Sequence, residues 1–202
     1  MNDSTPEREV MEYDVIVVGA GPAGLACALR LKQMRDDLMV AVIEKGAEVG
    51  AHILSGAVIE PGPLDELLPG WRDNPPPVCV DVTGDELFYL KKSGRTRLPT
   101  PPQQKNHGNI IVSLGALCQW LAIHAEEAGV DIFPGFAAAD IRYRDDGSVG
   151  GVIIGDMGID IDGVPKDTYV QGIEIHAKVT VLAEGCRGHL SKRLIQKFEL
   201  DA

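Results

Sequence analysis

Three glycines and one acid carry the clearest chemistry in this sequence. Gly19, Ala20, Gly21, Pro22, Ala23 and Gly24 spell G-x-G-x-x-G. Where such a hexapeptide joins a strand to a helix, unpaired backbone N–H groups and the helix N-terminus face a pyrophosphate. Gly19 then allows the turn, Gly21 lets ligand phosphates approach the backbone, and Gly24 lets helix and strand pack closely. The hexapeptide alone also fits an ordinary loop, so its neighbours decide. Glu44 stands about 20 residues beyond Gly24, where the pattern needs an acceptor for ribose hydroxyls. An acid there favours an unphosphorylated adenosine ribose, hence FAD or NAD over NADP.

The elements that must hold these groups are legible on either side. Residues 13–18 (Tyr13, Asp14, Val15, Ile16, Val17, Val18) form a β-branched run of the kind buried on both faces of a sheet. Residues 25–32 are good helix formers. Residues 39–43 predict a second strand that ends at Glu44. Residues 45–59 are small and apolar, suited to lie under a flat ligand or to make a buried connection. Residues 64–71 predict a short helix, with Leu64, Leu67, Leu68 and Trp71 as either an exposed apolar patch or a satellite core cluster.

Composition narrows the classes. With 202 residues, 45% hydrophobic and 24% charged, the chain can bury a core of one domain or a little more. A net charge of −11 argues against nucleic acid and against simple adsorption to an anionic membrane, so any membrane contact must be apolar. Cys27, Cys79, Cys118 and Cys186 are widely spaced and read as reduced thiols. The apolar run 15–29 is too short and too rich in glycine and proline to span a membrane. The polar, acidic start is unlike a signal or transit peptide, and residues 1–12 are expected to be a flexible lead-in.

Further along, the proline run 75–77 and Pro99, Pro101 and Pro102 bracket predicted strands at 78–82, 88–90 and 96–98, with a basic turn at 91–95. Residues 61 to about 102 therefore read as an insertion between Rossmann elements. Ser113 is the expected N-cap of a helix carrying Leu114, Leu117, Trp120, Leu121, Ala125 and Ala128, which Gly129 ends. His124 reads as an ordinary helix histidine. Strands are predicted at 130–133, 136–143, 149–154, 169–177 and 178–182, with a hairpin turn at Asp145, Asp146 and Gly147. The acidic loop 156–163 lacks the terminal Glu and flanking helices of a calcium loop and reads as a solvated turn. Residues 179–191 repeat the pattern of a buried strand, a small-residue turn and a helix. Arg187 and His189 are either brought near the site or solvated.

Several strings together resemble the amino-terminal third of the electron transfer flavoprotein–ubiquinone oxidoreductase family. They are residues 50–57, 106–115, 134–139, 155–159 and 183–190. The resemblance implies an α/β, FAD-binding Rossmann-type domain of the glutathione-reductase-like kind, incomplete, with an inserted β-rich segment. In domain terms it implies the first βαβ unit at 13–60, an inserted segment at 61–105 that faces membrane and quinone in part, and a continuation with a β-meander at 106–202.

The family accepts electrons from reduced electron transfer flavoprotein through a 4Fe–4S cluster and FAD, and passes them to ubiquinone. By resemblance, FAD lies along Ile16, Val17, Val18, Gly19, Ala20, Gly21, Pro22, Ala23 and Gly24, with Glu44 on its ribose and Lys45 beside it. Gly50, Ala51, His52, Leu54, Ser55 and Gly56 are further implied contacts, as are Glu184 and Gly185. Residues 50–71 are implied to help form the surface that dips into a bilayer. The resemblance implies peripheral or monotopic attachment, on the cytoplasmic face of a bacterial inner membrane or on the mitochondrial inner membrane in a eukaryote. No catalytic side chain and no metal ligand is assigned, because electron transfer needs positioned cofactors and not an acid or base. The family's cluster cysteines are expected in a carboxy-terminal part, and the chain reads as a fragment of doubtful activity alone. The rival readings are a flavin-dependent monooxygenase or isoprenoid reductase, and a truncated chain that holds no cofactor and acts only by protein contact.

Overall fold

The computed structural model describes residues 7–54 and 56–201. The first strand, β1 (Val10–Val18), runs into the glycine turn and α1 (Pro22–Met34), which Pro22 opens with a preset φ and no N–H to leave unpaired. β2 (Val40–Glu44) follows, and β3 (Ala57–Ile59) precedes α2 (Gly62–Leu67). β4 (Cys79–Asp81), β5 (Leu87–Leu90), β6 (Arg95–Leu98) and β7 (Ile110–Val112) lead to α3 (Leu114–Glu127). Ser113 caps α3 by accepting the Ala116 amide at 3.5 Å. Gly129, at φ +87°, turns the chain out of it, as the sequence predicts. β8 (Asp131–Pro134), β9 (Ala138–Tyr143), β10 (Val149–Ile154), β11 (Met157–Ile159), β12 (Pro165–Val170), β13 (Glu174–Leu182) and α4 (His189–Phe198) complete the chain.

Six strands form the central sheet in the order β8-β2-β1-β13-β10-β9. The first four are parallel, with Val17 beside Val42 on one side and Val181 on the other; β10 and β9 are antiparallel. The β-branched runs are needed because both faces are covered. Val15, Val17, Val40 and Val42 face one core with α1 and α3, while Ile16, Val18, Ala41 and Ile43 face a second core closed by Ile141, Val152, Ile175 and Leu190. Each fully buried Val or Ile is worth about 1.5–3 kcal/mol, so β1 and β2 anchor the domain.

The structure corrects several expectations. β1 begins at Val10, not Tyr13, and the segment before it is held as well: Arg8 meets Asp156 at 2.7 Å and the Gly172 carbonyl at 2.8 Å, and the Glu9 carbonyl accepts the Glu174 amide. Residues 7–12 are thus not a free lead-in; residues 1–6 lie outside the described residues. The two strands expected over 169–182 are divided differently: β12 ends at Val170, and 174–182 is one strand.

The segment 61–105 is not an isolated lobe. β7 pairs with both β3 and β4, so the small sheet draws on residues on either side of those bounds. Leu64 and Trp71 are 7% and 4% exposed and belong to the same core as α1 and α3, with the Trp71 indole N–H donating to Asp65 at 2.6 Å. Leu64 and Trp71 are thus members of that core, neither a separate satellite cluster nor an apolar surface patch.

Candidate functional site

All four parallel strands end at the same edge of the sheet, and this edge gathers the predicted nucleotide-binding residues. Gly19 sits at φ +109°, in the left-handed region. A Cβ there would stand 2.6 Å from the Ala183 carbonyl oxygen, so the turn after β1 and the turn after β13 touch through a missing side chain. A Cβ on Gly24 would collide with the Gly19 carbonyl, which is the close helix-to-strand approach expected of the third glycine. Gly21, the N-cap of α1, has no side-chain cap, and a Cβ there would meet nothing within 4 Å. The glycine turn is therefore packed behind Gly19 and Gly24 and open in front of Gly21, where the first-turn N–H groups and the helix dipole would face an anion.

Glu44 closes one side. Its Oε2 accepts the Ala20 amide at 3.1 Å and its Oε1 the Gly46 amide at 2.7 Å. A carboxylate has about four lone-pair sites, so two donors leave capacity for ribose hydroxyls. A dinucleotide fits these features: open space at Gly21 for phosphates, first-turn amides, and at the end of β2 a carboxylate with acceptor capacity to spare.

The other predicted contacts separate into groups. Ile16 and Val17 are fully buried in the sheet and Val18 nearly so; their side chains support the turn and cannot touch a ligand. Lys45, Ala51, His52 and Gly56 are exposed, Leu54 is 90% exposed, and Ser55 lies outside the described residues. The loop that carries them is seated on α3: a Cβ on Gly50 would stand 2.6 Å from the Gly115 carbonyl oxygen. His52 Nδ1 comes within 3.3 Å of the position a Cβ on Gly46 would take, which places the ring beside the Glu44 turn.

Glu184 and Gly185 follow β13 at the same edge, but the Glu184 carboxylate is turned to α4. There it takes the amides of His189, Leu190 and Ser191 and the Ser191 hydroxyl. Burial pushes the Glu184 carboxyl up, yet the Ser191 amide and hydroxyl and the Leu190 amide outweigh it and hold it below the usual range. Arg187 and His189 are exposed beside this turn, with His189 Nδ1 3.3 Å from Glu184.

Two features were not read from the sequence. The contact of Ala183 with Gly19 pairs residues far apart in the chain; the only local hint is a small residue directly after a buried strand. The second is an open, apolar cleft of about 800 Å³ that starts at Pro22 and Ala23. It runs between α1, β3, α2 and α3, past Cys27, Ile59, Leu67 and Leu117. Among the described residues no three metal-ligating side chains converge.

Comparison with known proteins agrees with this geometry. The model of the NAD(P)-binding Rossmann-like domain family matches residues 17–71, from the end of β1 through the glycine turn, Glu44 and α2. The chain is 51% identical over 206 residues to a probable electron transfer flavoprotein-ubiquinone oxidoreductase of Acinetobacter baylyi, covering 98% of this chain and 36% of that protein. It is 48% identical over 202 residues to the mitochondrial electron transfer flavoprotein-ubiquinone oxidoreductase of Homo sapiens, covering 97% and 33%. The resemblance seen in the sequence therefore holds, and the chain spans about a third of the length of these relatives.

Among solved structures, a geranylgeranyl bacteriochlorophyll reductase-like protein from Thermoplasma acidophilum superposes with TM-score 0.60 at 20% identity, over 87% of this chain and 40% of that one. A myxobacterial chondrochloren halogenase, described as a variant of FAD-dependent halogenases, superposes with TM-score 0.60 at 18% identity, over 91% and 39%. At such identity these two show the shared fold alone.

Proposed function

We propose that this chain is the FAD-binding portion of an oxidoreductase that passes electrons from reduced electron transfer flavoprotein to ubiquinone at a membrane. The observation that carries this reading is identity of about half, over nearly the whole chain, to relatives named for that reaction. Bound FAD supplies the redox chemistry. The chain's own residues hold and orient it: the α1 first turn and Gly21 face the pyrophosphate, and Glu44 takes the adenosine ribose. The Ala183–Glu184 backbone walls the cradle on the β13 side. No side chain is asked to move a proton, and the 4Fe–4S cluster of the reaction is assigned to sequence outside these 202 residues.

Two surfaces support the substrate side. The apolar cleft beside α1 offers an oily path next to the cradle, suited to an apolar substrate such as a quinone. The β5–β6 hairpin, within the inserted segment, exposes Tyr89, Leu90 and Leu98 together with Lys91, Lys92, Arg95 and Arg97. In a chain of net charge −11 it is a local basic and apolar tip, the combination that peripheral membrane attachment uses. No helix among the described residues is long and apolar enough to cross a membrane. The reading puts the protein at a bacterial inner membrane on its cytoplasmic face, or at the mitochondrial inner membrane if the source is eukaryotic; the human relative is named as mitochondrial.

The test is direct. Purified chain should show visible flavin absorbance, or gain it on incubation with FAD and keep it through gel filtration. Colourless protein that takes up no FAD would sink the claim that these residues form a flavin site.

A further inference from the structure

Glu44 and Glu184 stand on the two sides of the same cradle, yet their carboxylates are differently spent. Glu44 receives two donors. Glu184 receives four: the His189 and Leu190 amides at 3.1 and 3.2 Å on Oε1, and the Ser191 amide and hydroxyl, both at 2.8 Å, on Oε2. Four donors use the acceptor sites of a carboxylate, so Glu184 has none left for a ribose hydroxyl, and its negative charge would repel a pyrophosphate.

The same side chain is joined to the cradle through its own backbone. The Ala183 amide donates to the Val18 carbonyl at 2.8 Å, and the Ala183 carbonyl oxygen fills the space left by the absent Gly19 side chain. The Ala183 methyl lies 3.2 Å from where a Cβ on Gly24 would be. On the other side, α4 is fixed by Leu190, which is fully buried in the second core, and by Arg193, 2.7 Å from Asp140 on β9. Gly188 allows the carboxylate to reach the helix: a Cβ there would stand 2.5 Å from Glu184 Oε2 and 2.7 Å from its Cβ.

We infer that Glu184 is a positioning residue and not a ligand. By capping α4 it clamps the Ala183 carbonyl against Gly19 and so sets the wall of the cradle opposite Glu44. The part that concerns cofactor affinity rests on the flavin reading above; the clamp itself does not.

The experiment is residue-resolved hydrogen exchange on the cofactor-free 202-residue chain, with FAD titration of the same samples, for wild type, E184Q, E184D, G188A and E44Q. In E184Q the Leu190 and Ser191 amides, and also the Gly19 and Ala183 amides, should exchange about tenfold faster or more, while Val17 and Val42 stay protected. FAD affinity should fall about tenfold, the scale of one lost helix cap. G188A, which leaves the charge in place but blocks its approach, should do the same, and E184D should recover most of both losses.

Faster exchange confined to α4 would overturn the clamp. A fall in FAD affinity with all four amides unchanged would make Glu184 a ligand after all. FAD affinity unchanged in E184Q but reduced in E44Q would remove Glu184 from the cradle. If wild type takes no FAD, the flavin reading fails, and the Gly19 and Ala183 exchange rates still decide the clamp.

Discussion

The carboxylate of Glu44 accepts the backbone amide of Ala20 at 3.1 Å, tying the end of the second strand to the middle of the glycine turn. Ala20 is only 1% exposed, so with Glu44 in place the carboxylate, not bulk water, accepts this amide. Glu44→Ala should therefore lower unfolding stability by about 1–3 kcal/mol in a urea titration, besides weakening FAD. Glu44→Gln keeps one oxygen and should lose less stability, but about ten- to a hundredfold in FAD affinity, since one charge-assisted hydrogen bond is worth about 1.5–3 kcal/mol.

Gly21 and Gly24 should separate packing from binding. A methyl at 24 collides with the Gly19 carbonyl, so Gly24→Ala should cost about 1–3 kcal/mol and displace the turn. A methyl at 21 meets no protein atom and sits at an ordinary φ of −78°. Gly21→Ala should leave the denaturation midpoint within error yet abolish FAD uptake, because the methyl would take the space that the proposed pyrophosphate needs. Equal FAD uptake by wild type and Gly21→Ala would show that no phosphate approaches there.

Trp71 and Leu90 should give opposite results in stability and membrane assays. Trp71 is buried with its N–H on Asp65, so Trp71→Ala should cost about 3–5 kcal/mol. Leu90, 74% exposed on the basic hairpin, should tolerate Leu90→Asp within about 0.5 kcal/mol. Sedimentation with anionic vesicles should be reduced by Leu90→Asp. Reduction by a folded Trp71→Phe protein instead would return the membrane surface to residues 64–71.

The four thiols should react in an order set by burial. Cys186 is exposed and should be modified first by a thiol reagent. Burial raises Cys27, and burial followed by Asp81 raises Cys79, so both should be slower. Burial, with the Glu44 charge adding to it, pushes the Cys118 thiol up to about 11, and it should react only on unfolding. Mass spectrometry of a time course checks the sequence of labelling.

Acid should release α4 before it unfolds the central sheet. The Glu184 carboxyl is held below its unfolded value, so its stabilisation is fully present above the ordinary glutamate range and is lost as pH falls through the lowered folded value. His189, with Nδ1 3.3 Å from Glu184 Oε1, is the smallest of the causes that lower the Glu184 carboxyl. The protection factors of the Leu190 and Ser191 amides, that is exchange divided by the intrinsic rate at each pH, should thus fall on acidification in wild type and be nearly flat with pH in E184Q. Parallel pH curves for the two proteins would exclude this linkage.

Much of the strand-turn-helix frame was legible because its signals are local. Val15 to Val18 must be strand if buried on both faces, Pro22 and the helix formers after it must start a helix, and Gly129 must end one, whatever the rest of the chain does. Glu44 was found by counting along the chain, since a strand of fixed rise after a helix of fixed pitch brings the acid to the turn.

Where long-range pairing decides, the sequence was silent or read wrongly. Nothing local distinguishes a buried Trp71 from an exposed one, because the core that takes it in is assembled from residues far apart in the chain. Nothing in residues 110–112 announces that they sit between β3 and β4 and so join the inserted segment to the domain. Val10 looked like part of a polar tail until Glu174 of β13 supplied its partner.

Sequence alone determined that a glycine turn stands at a strand end with Glu44 at the end of the next strand, because strand rise and helix pitch fix those offsets. Only the tertiary structure decided what the second acid does. Glu184 lies at the same edge as Glu44, but the donors around it belong to a helix that folds back onto its carboxylate. An acceptor's role depends on which donors reach it first, which composition and spacing do not contain.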